Sequence, residues 1–274
     1  MTKGRISDEY VLGDTDAEHA RLMRQAARLA PLTARLFRDA GIGPGQRVLD
    51  IGSGVGDVAM LAAHLVGSSG EVVGVDRDPI ALGKARTRAA ASGLTNLRFI
   101  EANVSQVPSD VPFDAVVGRL ILQFLPDPQA VLRTLVKLVR PGGIIAFHEA
   151  NWASFLTQAA HLPLRTACGH VIIETFRRSG ARTDMELTLF RAFHEVGLPV
   201  PELRLEIPIG NDPETRRWIY DLVCTVYPRF AALGISADSL GDLGTLSDRL
   251  EAELDDTRSY AACIGLVGAW SRKP

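Results

Sequence analysis

The stretch Val48-Leu49-Asp50-Ile51-Gly52-Ser53-Gly54-Val55-Gly56-Asp57 decides the fold. Its apolar opening reads as a buried strand, its alternating glycines as a turn, and the run from Asp57 to Leu65 as a helix. Glycines at every second position remove Cβ atoms where a ligand must touch the backbone. The helix behind them turns its unbonded N–H groups toward the same place. Farther along, Glu71-Val72-Val73-Gly74-Val75-Asp76 reads as a second buried strand, ending in a carboxylate 20 residues after Gly56. An acid there accepts hydrogen bonds from both hydroxyls of a ribose. Together the two motifs imply an adenosine-bearing ligand at the top of a parallel sheet.

Spacing separates two ligand classes. The nicotinamide dinucleotide fingerprint is G-x-G-x-x-G, with its third glycine serving close helix–strand packing. Here the spacing is G-x-G-x-G, and Asp57 stands where that fingerprint wants its last glycine. An acid in the turn repels a pyrophosphate but suits a ligand that carries an ammonium and a sulfonium. Asp50, just ahead of the turn, points the same way. At these residues the chain resembles the class I S-adenosylmethionine-dependent methyltransferases. Their first motif has the same acid-x-G-x-G-x-G form, and their ribose acid ends the second strand. The resemblance spans the chain in outline and is specific from about Gly45 to Glu149.

The resemblance implies a fold. It is an α/β, doubly wound, mostly parallel sheet of seven strands with a C-terminal antiparallel hairpin, plus helical cap and lid segments. The residue pattern is consistent with that. Strands are expected near Arg47–Ile51, Glu71–Asp76, Leu97–Glu101, Ala115–Arg119, Gly143–Glu149, Arg204–Pro208 and Tyr260–Ser271. Helices fit Asp57–Leu65, Pro79–Ser92, Pro128–Val139 and Met185–Val196. Alternation of the two argues for parallel pairing. Residues 1–40 are read as N-terminal cap helices, with Pro31 dividing or kinking the helical pattern. The Rossmann-like core is placed at 41–150, with a continuation at 184–210 and a last strand at 259–274. Helical lid insertions are placed at 151–183 and 211–258. Both follow strand C-termini, the edge of an open α/β sheet where ligands bind.

Composition narrows the partners. The chain has 274 residues, 46% of them hydrophobic, enough for a sizeable core. Its 30 basic and 32 acidic residues nearly cancel, with no basic block, so the electrostatic footprint of a nucleic-acid binder is missing. Cys168, Cys224 and Cys263 form no C-x-x-C pair and no metal spacing, and no metal is expected. The charged N-terminus lacks an apolar signal-peptide core, and no stretch is long and apolar enough for a bilayer. These readings imply a cytoplasmic protein with a small-molecule substrate and no membrane partner. A homodimer remains open.

Site residues follow from the motifs and the resemblance. The cofactor set is Asp50, Gly52, Ser53, Gly54, Asp76, Arg77, Asn103, Val104 and Arg119, with Tyr10 in an N-terminal arm. The family usually carries an Asp where this chain has Asn103, whose side-chain oxygen can still accept from an adenine amino group. Backbone at Gly118–Leu120 is implied to receive the amino group of S-adenosylmethionine. Candidate bases are His148 and Glu149 at the end of the fifth strand, one of which faces the pocket by alternation. Substrate candidates are Gln123, Trp152, Phe155, Trp218 and Tyr227. The aromatic ones fit either an apolar pocket or helix packing.

The function implied is transfer of a methyl group from S-adenosylmethionine to oxygen or nitrogen, less readily carbon, of a small molecule such as a secondary metabolite. Proximity and desolvation would carry most of the rate. Two rivals stand beside it. One is a methyltransferase-like protein that catalyses a non-methylating step or acts as a binding partner. The other is a nucleotide-dependent oxidoreductase, against which the glycine spacing and Asp57 count.

Overall fold

The computed structural model describes residues 16–104, 106–107 and 111–274. Tyr10 lies outside the described residues. Helix α1 runs Asp16–Ala40 with Pro31 inside it, so the proline does not separate two helices. A mid-helix proline removes one backbone hydrogen bond. Ala26, Leu29, Leu36, Phe37 and Ala40 are buried on either side of it and hold the helix in place.

The alternation then unfolds as β1 (Arg47–Ile51), α2 (Asp57–Val66), β2 (Glu71–Asp76), α3 (Pro79–Ala91), β3 (Leu97–Glu101) and β4 (Phe113–Arg119). A 3₁₀ turn at Leu122–Phe124 leads to α4 (Pro128–Leu138) and β5 (Val139–Asn151). Next come α5 (Trp152–Ala159), α6 (Pro163–Arg178), α7 (Met185–Glu195), β6 (Glu202–Glu206) and β7 (Ile209–Gly210). The chain closes with α8 (Pro213–Val226), α9 (Phe230–Leu233), α10 (Leu246–Asp256), β8 (Ala261–Ala262) and β9 (Gly265–Arg272).

The main sheet has the strand order β3-β2-β1-β4-β5-β9-β6. Pairs among β1 to β5 are parallel. Lys273 and the Gly142–Gly143 backbone exchange hydrogen bonds of 2.8 Å each, which places the end of β9 beside the start of β5, an antiparallel arrangement. The order reverses between β1 and β4, the switch point at which such sheets bind ligands. Asp78 and Asp127 accept from the first-turn amides of α3 and α4, with Pro79 and Pro128 opening each helix.

Two expected boundaries moved for physical reasons. Pro141-Gly142-Gly143, read as a turn ahead of the fifth strand, lies inside β5, whose register against β4 shifts there. A bulge tolerates a proline that a regular ladder does not. The single strand expected at Tyr260–Ser271 is divided. Ala261–Ala262 pairs antiparallel with β7 in a separate two-stranded sheet, and β9 joins the main one.

The described residues form two compact units. One holds residues 22–149, 186–204 and 267–274 and contains most of the sheet. Its core joins Leu36, Phe37, Val48, Ala59, Val72, Leu82, Val117 and Ala146. Each large apolar side chain buried there contributes roughly 1.5–3 kcal/mol. The other unit holds residues 16–21, 150–185 and 205–266 and is mainly helical. In it α8 buries Trp218, Ile219, Leu222, Val223 and Val226 along one helical stripe. Among the described residues, no helix is long and apolar enough to cross a membrane.

Candidate cofactor site

Each glycine of the turn has its own reason. A Cβ on Gly52 would strike Ile121 at 2.5 Å, and one on Gly56 would meet Phe99 at 2.9 Å and Ala85 at 3.0 Å. Those two glycines serve packing of the turn against its own neighbours. Only Gly54 opens on free space, with nothing within 4 Å of its absent Cβ. The expectation that all three make room for a ligand therefore narrows to Gly54. Its φ of 52° also falls in the left-handed region.

Gly54 donates its N–H to Asp76 Oδ2 at 2.8 Å, and Asp78 donates to Asp76 Oδ1 at 3.0 Å. The β2 carboxylate is thus fixed over the open face of the glycine turn. Each oxygen keeps a lone pair for a further donor. Arg77 and Asn103 lie exposed nearby in sequence, and Val104 is half-buried.

Beneath the turn sits Asp50, fully buried, and neither of its oxygens has a hydrogen-bond partner among the described residues. Burial holds its carboxyl well above the ordinary aspartate range, against the pull of the Arg119 cation. The Ala59 amide of α2 also lies close enough to favour the charged form. The buried Ser53 hydroxyl is likewise unpartnered. Asp57, the acid in the turn, has a protein partner. It forms a 2.6 Å ion pair with Arg88, tying the first turn of α2 to α3.

The tips of β4 and β5 hold a second cluster. Arg119 donates through Nη1 to Thr33 Oγ1 at 3.1 Å. Thr33 Oγ1 also lies 3.1 Å from His148 Nδ1. Burial, then the Arg119 charge, pulls the His148 pKa down to about 3. Burial lowers Arg119 too, while the Asp57 and Asp50 carboxylates raise it. Glu149 accepts from the backbone N–H groups of Ile121, Leu122 and Gln123 at 3.1, 2.9 and 3.4 Å. Burial pushes its pKa up to about 7 despite those donors. Its carboxylate anchors the 3₁₀ turn. Both His148 and Glu149 are buried, so strand alternation does not put either one out in solvent. Gln123 is buried with its side-chain oxygen unpartnered among the described residues.

Thr33 was not legible in the sequence, and Leu120 was marked only as part of the Gly118–Leu120 backbone, not for its left-handed conformation. Thr33 shows only as a polar residue on the apolar face of α1. Leu120 takes φ 54° and donates its N–H to the His148 carbonyl. A left-handed non-glycine residue costs roughly 1–2 kcal/mol, and such strain gathers at functional turns.

The aromatic substrate candidates are taken up by one another in the helical unit. Trp152 packs on Phe155, Phe176 and Trp218 at centroid distances of 6.3, 5.5 and 6.2 Å. Phe155 also meets Trp218 at 5.6 Å. Trp152, Phe155 and Trp218 are buried, so helix packing accounts for them. Tyr227 stands apart at 44% exposure, beside a cavity of about 340 Å³ lined also by Tyr220, Cys224 and Leu246. Among the described residues, no cluster of three His, Cys, Asp or Glu side chains suits a metal.

The buried unpaired acid, the open face at Gly54 and the fixed carboxylate at Asp76 fit an adenosyl sulfonium ligand. The same arrangement is what the resemblance to class I S-adenosylmethionine-dependent methyltransferases leads one to expect at this turn. A family model described as a methyltransferase domain matches residues 42–180, and the chain belongs to that family. Its cofactor is S-adenosylmethionine. The chain is 42% identical over 118 residues to an uncharacterised protein of Mycobacterium tuberculosis, covering 43% of this chain and 42% of that one. It is 35% identical over 106 residues to a ubiquinone/menaquinone biosynthesis C-methyltransferase of Shewanella baltica, covering 38% and 42%. The chain thus spans about two-fifths of the length of these curated relatives. Among solved structures, the [4+2]-cyclase SpnF shares the fold at TM-score 0.54 and 17% identity, covering 89% of this chain and 81% of that one.

Proposed function

We propose that the protein transfers a methyl group from S-adenosylmethionine to an oxygen or nitrogen atom of a small molecule such as a secondary metabolite. The observation that carries the reading is the Asp76 carboxylate held against the one glycine of the turn that faces open space. In this reading Asp76 holds the ribose, and Gly54 lets the amino-acid end approach the backbone. Gly52 and Ser53 shape that turn. Asp50 and Arg119 set the charge beneath the amino-acid end. Arg77, Asn103 and Val104 flank the adenine. When bound, the cofactor supplies an electrophilic methyl carbon on a sulfonium. The chain's part is then to align the acceptor, exclude water and take up a proton.

His148 supports an acceptor that bears an O–H or N–H group. It stays neutral across physiological pH and sits at the β5 tip beside Arg119, so it offers a lone pair rather than a charge. Glu149 is kept as a turn anchor in this reading, not as a base. The likeness to a named C-methyltransferase supports a second reading, with carbon as acceptor. The fold alone does not select methyl transfer, because a cyclase shares it.

A thermal-shift series with S-adenosylmethionine, S-adenosylhomocysteine, NAD and NADP tests the cofactor. Ligand at 100 times its dissociation constant stabilises by about 2.7 kcal/mol. A shift with the two adenosyl compounds alone supports the reading, and a shift with a nicotinamide alone overturns it. Formation of S-adenosylhomocysteine with a panel of phenols, amines and quinols then separates methyl transfer from a non-methylating step.

A further inference from the structure

The bonds around Thr33 fix a proton. Thr33 has one hydroxyl hydrogen and two lone pairs. Its Oγ1 has three partners: the Leu29 carbonyl at 3.1 Å, Arg119 Nη1 at 3.1 Å and His148 Nδ1 at 3.1 Å. A carbonyl only accepts, so the hydroxyl hydrogen goes to Leu29. A guanidinium only donates, so Arg119 occupies one lone pair. The remaining lone pair is open to a hydrogen, and among the described residues His148 Nδ1, at 3.1 Å, is the contact that can supply it. The imidazole is neutral, since burial and Arg119 both oppose its charge. Its single proton is therefore on Nδ1, and Nε2 carries a bare lone pair.

We infer that Thr33 is a positioning residue of the methyl-transfer site, holding His148 as the Nδ1–H tautomer beside an oriented Arg119. The hydroxyl joins α1 to the tips of β4 and β5, where Arg119 and His148 are register partners. Free imidazole side chains favour the opposite tautomer, with the proton on Nε2, so Thr33 reverses an intrinsic preference. The consequence is a one-sided acceptor. Nε2 takes a hydrogen bond from a protic group, and it cannot donate one that would compete for the nucleophile's lone pair. That last step rests on the methyltransferase reading, while the tautomer does not.

The test is ¹⁵N NMR of the His148 ring in the full chain, followed in the parent, Thr33→Val and Thr33→Ser. The parent is expected to show a protonated Nδ1 and an unprotonated Nε2. Thr33→Val removes the hydroxyl at equal size, and the majority of the ring population is expected to move its proton to Nε2. Thr33→Ser keeps the hydroxyl and is expected to restore the parent pattern. A parent ring protonated on Nε2 overturns the inference even if Thr33→Val fails to fold. So does a Thr33→Val ring unchanged from the parent. Thermal shift with S-adenosylhomocysteine runs beside it on the parent. No shift there overturns the cofactor reading and leaves the tautomer result standing.

Discussion

Gly54 and Asp76 are 22 residues apart in sequence, yet the Gly54 N–H and the Asp76 carboxylate meet at 2.8 Å. The contact joins the two motifs that announce the ligand. The parallel register of β1 against β2, with Ile51 opposite Val75, makes it geometrically necessary. A glycine turn after one strand then falls beside the last residue of the next. The amide that would otherwise point at solvent fixes the carboxylate before any ligand arrives. Preorganisation of that kind lowers the ordering cost of binding.

Asp76→Ala should weaken S-adenosylhomocysteine binding by roughly 2–4 kcal/mol, from two charge-assisted hydrogen bonds that are not fully additive. Isothermal titration of parent and variant reads this directly. Equal affinities would remove Asp76 from the ribose role. Gly54→Val should abolish binding, because its side chain fills the open face.

Gly54 and Gly56 should separate cleanly when each is changed to alanine. Gly56→Ala places a methyl 2.9 Å from Phe99 and 3.0 Å from Ala85. Overpacking of that sort costs about 1–3 kcal/mol, so its midpoint in urea should fall. Gly54→Ala meets no protein atom, so it should lose ligand affinity while its urea midpoint falls by the smaller left-handed backbone strain alone. If both variants lose stability equally and bind alike, the division of roles is wrong.

Much of this was readable in the chain. The spans of β1, β2 and β3 match the strands expected. Strands β1 and β2 are buried on both faces and leave a near-continuous hydrophobic record, while the edge strand β3 is marked only by Leu97, Phe99 and Ile100 between charged residues. The Gly54–Asp76 pair was readable because both ends are marked by residues with few other uses at those places. Thr33 was not, since its role depends on α1 crossing two strand tips more than 80 residues away in sequence. The ion pair of Asp57 with Arg88 was hidden for the same reason. Aromatic residues such as Trp152 and Trp218 carry no sign in sequence of whether they meet a ligand or each other.

Asp57→Ala should leave S-adenosylhomocysteine affinity within about twofold while lowering stability by about 1 kcal/mol, the upper range for a partly exposed ion pair. Arg88→Ala should do the same, and the double variant should lose less than the sum. A large loss of affinity in Asp57→Ala alone would return that carboxylate to the ligand.

His148 and Glu149 should give opposing pH dependences that nearly cancel. The folded pKa of His148 is depressed from 6.5 to about 3, so the unfolded chain binds the extra proton between those values. Its contribution to stability is present above pH 6.5 and is lost as pH falls. Glu149 is raised from 4.5 to about 7, so the folded chain binds the extra proton there. Its contribution is present below pH 4.5 and is lost as pH rises through 7. Between pH 4.5 and 6.5 the slopes oppose each other at about 1.4 kcal/mol per pH unit each. Glu149→Gln should unmask the histidine, so that urea-unfolding stability relative to the parent climbs by about 2–3 kcal/mol across that window. His148→Gln should unmask the carboxylate and make relative stability fall by a similar amount. Parallel stability curves for parent and both variants would show that neither group titrates from a buried site.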